Sequence, residues 1–149
     1  MNTTTKVGQY QDNKIDVKLV LSALWIAMLI MFAYVDIFGF FRADILRAAL
    51  DGKVAAMGIT IDQVFLVFTT VYVLIPTLMV FLSLVLRPRV NRIVNIVVAL
   101  VYAVSIIASC IGETWVYYLL GSAVEVVLLV AIVRTAWTWP RTQVAPSLR

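Results

Sequence analysis

Four apolar runs of helix length, set apart by short polar breaks, constrain this chain more than any other feature: residues 19–41, 63–86, 93–111 and 115–139. A helix rises about 1.5 Å per residue, so roughly 20 apolar residues cross a hydrocarbon layer about 30 Å thick. Inside that layer backbone groups are satisfied only by helices or closed barrels, and continuous apolar runs, unlike alternating ones, select helices. The expected fold is an all-α, four-helix transmembrane bundle. Composition agrees, since 63% of the 149 residues are apolar and 13% charged, against about 45–50% and 25% in soluble domains. Mean hydropathy is +1.01.

The domain reading follows: a polar tail over 1–17, one transmembrane domain over 18–139 and a second tail over 140–149. The first run is too long for a signal-peptide core of about 7–15 residues and no small-x-small site follows it, so it is expected to stay as the first span. In the first connection Ile45, Leu46, Ala49 and Leu50 share one helical face, with Asp44, Arg47 and Asp51 on the other. That pattern predicts a short interfacial helix over Arg42 to Leu50, ended by a left-handed Gly52. Thr60 and Gln63 read as a capping box opening the second span. Arg87-Pro88-Arg89-Val90-Asn91-Arg92 reads as a tight basic turn, and Gly112-Glu113-Thr114 as the next helix boundary.

Lys and Arg distribute unevenly about these spans. Lys6, Lys14, Lys18, Arg87, Arg89, Arg92, Arg134, Arg141 and Arg149 fall on one side, and Arg42, Arg47 and Lys53 on the other. The positive-inside rule then places both termini in the cytoplasm. Arg87, Arg89 and Arg92 serve as the topology signal or as contacts for lipid headgroups. The net charge of +4 is explained by topology, and no nucleic-acid partner is expected.

The chain has no His and a single cysteine, Cys110, which excludes His-held haem, a zinc cluster, a CxxC redox pair and an internal disulfide. No metal, cofactor or catalytic residue is expected. Met28, Met31, Met57 and Met79 read as apolar filler.

Two acids stand inside the spans. Glu125 lies about ten residues into the fourth, roughly 15 Å deep, and Asp36 near the far end of the first. Such residues are costly in lipid and face protein or water, so each is a functional-site hypothesis. Counting depth along the helices gathers Asp36, Thr69, Ser105 and Ser122 in one layer and Tyr72, Tyr102 and Glu125 in the next. Asp36, Tyr72, Tyr102, Ser105, Ser122 and Glu125 form the candidate intramembrane polar site, with Tyr72 or Tyr102 expected to hydrogen-bond the Glu125 carboxyl. If that bond exists, Glu125→Leu should cost about 1–3 kcal/mol by stranding the partner. Pro76 frees the carbonyl of Tyr72 for a neighbouring group, and Gly121 lets another helix approach closely. Ser and Thr in such helices also serve simply to join helices or to bond their own backbone.

Placed polar and aromatic residues carry a resemblance. Leu21-Ser22-Ala23-Leu24-Trp25 with Asp36 and Gly39, Phe81-Leu82-Ser83-Leu84, Asn91-Arg92 with Asn95 and Tyr102, and Glu125 followed by Trp137-x-Trp139-Pro140 stand in the same order as in a family of small four-span bacterial inner-membrane proteins of unknown function, which the chain resembles over nearly its whole length. The resemblance implies a four-helix bundle in a bacterial inner membrane and no particular activity. The span count is also similar to that of the small multidrug-resistance transporters, which are shorter and carry their glutamate in the first span.

Three classes of function remain. The preferred one is a non-catalytic membrane assembly or partner protein, in contact with lipids and with a homo-oligomeric or membrane-protein partner. The alternative is a small solute- or proton-binding, transporter-like bundle using Glu125 and Asp36, although no internal repeat is visible. An enzyme would have to rest on Asp, Glu and Tyr alone. A water-lined pocket at Glu125 separates the second class from the first, which requires a dry hydrogen-bonded core.

Overall fold

Asp16 opens the first helix. Its carboxylate accepts from the Lys18 amide at 2.7 Å, satisfying one of the free amides of the first turn, and Val17–Gly39 (α1) follows without interruption. The computed structural model describes residues 15–55 and 58–140. Most of the expected tails, with Lys6, Lys14, Arg141 and Arg149, and also Met57, lie outside the described residues.

Ala43–Leu50 forms α2, the expected short helix. It ends where Gly52 turns left-handed at φ 69°, a conformation that costs glycine nothing. Ile45 reaches back towards Gly39, where a β-carbon would meet its Cδ1 at 3.4 Å, while Leu46 is 44% exposed. The chain folds back through a lone antiparallel bridge between Lys53 and Thr60. Thr60 is thus engaged in the loop, and the cap of Gln63–Val85 (α3) is Asp62, whose carboxylate accepts from the Phe65 amide at 2.8 Å. The capping-box reading missed this, because the acid next to the helix is better placed than a threonine two residues earlier.

Pro88–Ser109 (α4) begins within the stretch read as a basic turn. Proline fits the first helical position, where its missing N–H was unpaired anyway. The link from α3 therefore shrinks to Leu86 and Arg87. Gly112, at φ 84°, then turns the chain into Val116–Trp137 (α5), and Glu113 Oε1 accepts from the amides of Thr114 and Trp115 at 2.8 and 3.1 Å.

All four long helices are long and apolar enough to cross a membrane, and no strand occurs among the described residues. Their outward sides are apolar, as at Phe68, Phe81, Val104 and Val127. Such a surface is compatible with a multi-pass membrane protein. α5 packs between α1 and α4, α1 also packs on α3, and α3 meets α4 more sparsely. A β-carbon on Gly121 of α5 would run into Val35 Cγ2 of α1, so a glycine there sets the closest approach of those helices. The buried core, with Leu21, Trp25, Met28, Met79, Leu129, Ile132 and Ala136, fills the half nearest the tails. The half nearest α2 is filled differently.

Candidate functional site

In the tail half, four polar side chains close on one another. Asn95 donates from Nδ2 to the Asn91 carbonyl at 2.9 Å and to Asn91 Oδ1 at 2.6 Å. Its Oδ1 accepts from Trp25 Nε1 at 2.7 Å and from the Ser83 hydroxyl at 3.2 Å. Asn91 Nδ2 in turn donates to the Ser83 carbonyl at 2.6 Å. All four residues are fully buried, and the cluster joins α1, α3 and α4 in a dry, satisfied clasp.

At mid-depth Pro76 leaves the Tyr72 carbonyl free, and the Tyr102 hydroxyl donates to it. The Ser105 hydroxyl donates to the Tyr102 carbonyl at 2.9 Å. With that proton committed, the 2.7 Å contact between Tyr72 and Ser105 has the tyrosine as donor. Both tyrosine protons are therefore used across the α3–α4 seam. The expected bond from Tyr72 or Tyr102 to Glu125 is not formed, because the carbonyl opened by Pro76 and the adjacent serine take those donors first.

Above this layer, towards α2, lies a cavity of about 370 Å³. The structure brings Asp36, Tyr72, Ser105, Ser122 and Glu125 together in its wall and adds Ser109 and Tyr118. Tyr102 does not line it, but lies beneath, its ring 4.7 Å from that of Tyr72 and edge-on to Trp25 at 6.4 Å. Val54 of the loop and Phe65 of the first turn of α3 line the end nearest α2, so the cavity reaches from that face towards the middle of the bundle. Glu125 is 2% exposed, and its Oε1 has no hydrogen-bond partner among the described residues. Asp36 is exposed on the opposite wall. Thr69, placed in the same layer by depth, instead bonds the carbonyl of Phe65 at 3.0 Å and lies on an outer groove of α3. No group of three or more metal-ligating side chains occurs among the described residues.

Ser109 and Tyr118 carried a signal in the sequence: one continues the polar face of α4, and the other precedes Glu125 by seven residues on α5. They bond each other, Tyr118 donating to Ser109 at 3.0 Å, and Ser109 donates to the Ile106 carbonyl at 2.7 Å. The Tyr117 hydroxyl, close to Gly39, is a second buried polar atom without a partner among the described residues.

A charged rim closes the α2 end. The buried Arg42 guanidinium meets Asp44 at 2.7 Å and Glu113 at 2.9 Å, and lies 4.7 Å from the centre of the Trp115 ring. Hydrogen bonding to Asp44, then to Glu113, raises the Arg42 pKa further. The same bond holds the Asp44 carboxyl below its usual 3.8. Desolvation pushes Glu113 up, but Arg42 and the amides of Trp115 and Thr114 outweigh it and hold it below 4.5. At the other end Arg87 and Arg89 are exposed, and Arg92 lies over Trp137 at 5.2 Å. None of these three lines the cavity.

No curated protein and no solved structure matches the chain. A family model does match, over residues 6–146, and on that coverage the chain belongs to the family of unknown function DUF6326.

Proposed function

We propose that the protein is a transporter-like bundle that receives a small solute or protons within the membrane, with Glu125 and Asp36 as its polar anchors. The observation that carries this reading is the buried, unpartnered Oε1 of Glu125 in the wall of a cavity of about 370 Å³. A carboxyl so placed is costly unless something meets it. The assembly reading makes the intramembrane polar groups a dry clasp, and that describes Trp25, Ser83, Asn91 and Asn95 rather than Glu125. Pairing with a second copy is compatible with a receptacle, since α3 is the least buried of the four spans.

The imbalance of nine Lys and Arg against three supports cytoplasmic placement of both termini, which turns the cavity mouth outward. In a Cys110→Ser background, Ser122→Cys should react with a charged, membrane-impermeant methanethiosulfonate added on the α2 side, while Ala99→Cys, in the dry core, should not. Equal inertness of the two would overturn the reading. Reaction of Ser122→Cys only from the tail side would overturn the assigned mouth.

A further inference from the structure

We infer that the occupant of the cavity is a small protonated amine with an apolar body, whose ammonium hydrogen-bonds Glu125. The inference rests on the receptacle reading and gives it a ligand class. The cavity wall holds two carboxyls and no Lys or Arg, and the nearest arginine of the rim, Arg42, is held by Asp44 and Glu113. An anion would meet only repulsion there, whereas a cation offsets the cost of an acid in low dielectric.

The lining hydroxyls have their protons directed elsewhere: Tyr72 to Ser105, Ser105 to the Tyr102 carbonyl, Tyr118 to Ser109, and Ser109 to the Ile106 carbonyl. The unpartnered Oε1 of Glu125 therefore takes its donor from Ser122 or from the occupant, and an ammonium N–H supplies the stronger, charge-assisted bond.

About 370 Å³ is far more than one desolvated ion fills, given roughly 30 Å³ for a water in the liquid. Phe32, Val35, Phe65 and Ile106 offer apolar and aromatic surface for a carbon body. The carboxyls are too few for a metal site, since no cluster of three ligating side chains occurs among the described residues.

Protons compete with the amine for the same carboxyls. The titratable groups facing Glu125 across the cavity are Asp36 from α1, Tyr72 from α3 and Tyr118 from its own helix, while α4 contributes only serines and Ile106. Protonating either acid removes charge the amine needs, so binding weakens as pH falls.

The test is calorimetric titration of the purified full chain with benzylammonium chloride, with benzyl alcohol as the neutral isostere and sodium chloride at equal ionic strength. Benzylammonium should bind and benzyl alcohol should bind at least about tenfold more weakly, the loss expected when a charge-assisted bond is replaced. Glu125→Gln should weaken benzylammonium by about tenfold or more, and Asp36→Asn, at an exposed position, should weaken it as well. Affinity for the unaltered chain should fall as pH is lowered and the carboxyls take up protons. Equal binding of benzyl alcohol, displacement of the amine by sodium at equal concentration, or unchanged affinity in both variants would each overturn the inference. If Ser122→Cys is reactive but benzylammonium does not bind, the ligand class alone fails. If Ser122→Cys is inert, the receptacle itself fails.

Discussion

The two halves of the bundle bury polar side chains in opposite ways. Near the tails, Asn95 sits among Trp25, Ser83 and Asn91 with its donors and its acceptor used, and the space around it is filled by core residues. Near α2, Glu125 is as deeply buried but keeps an oxygen without a partner and faces open volume. Burial alone therefore does not separate a structural polar group from a functional one. What separates them is whether the surrounding chain completes the hydrogen bonds or leaves them for something that arrives later.

Breaking the closed half should have the largest effect. Asn95→Leu strands the Trp25 N–H, the Ser83 hydroxyl and Asn91 Oδ1, and should cost about 2–4 kcal/mol in mixed-micelle unfolding. A cost below about 0.5 kcal/mol would erase the contrast, since the clasp would then contribute as little as an exposed contact. Next comes the α1–α5 seam beside the cavity. Gly121→Ala forces α5 off Val35 and should cost about 1–3 kcal/mol by the same assay. The open half should respond least: Glu125→Leu strands no partner, so stability should stay within about 1 kcal/mol of the parent or rise. A tyrosine bond to that carboxyl would instead make the loss about 1–3 kcal/mol. A loss of that size would mean that Glu125 belongs to a clasp after all.

The contrast also marks how far the residues speak for themselves. Span existence was legible because a 20-residue apolar run has one solution in lipid. Boundaries were less so: at Pro88 a basic string outweighed the proline's own fitness for a first turn, and at Thr60 a motif hid the better cap next to it. Depth along each helix was enough to gather Asp36, Ser105 and Ser122 in one layer and Glu125 in the adjacent one, since rise per residue is nearly constant. Rotation about each helix axis and the order of helices around the bundle are set by packing between spans, and one sequence does not print them. That is why Thr69, at the right depth, ends on the outer face of α3, and why Asn95 was visible as a polar residue but its bond to Trp25, 70 positions away, was not.

The smallest expected effect concerns the rim, where the open half is fastened by charge. Asp44 and Glu113 have pKa values held below the ordinary 3.8 and 4.5. A depressed carboxylate adds stability that is present above its unfolded value and disappears as pH falls through its folded value. The rim should therefore weaken only below the usual carboxylate range, and modestly, because Asp44 is exposed and screened by solvent. The clasp holds no titrating group, so its strength should not follow. Amide hydrogen exchange separates the two: the Thr114 and Trp115 amides, which donate to Glu113, should be better protected in the parent than in Glu113→Gln near about pH 7, and the difference should shrink as pH falls through the lowered Glu113 pKa. The Trp25 indole N–H, compared between the same two proteins, should show no difference at either pH. If it tracks the rim instead, the halves are one cooperative unit, and the closed half answers to the charge that holds the open one.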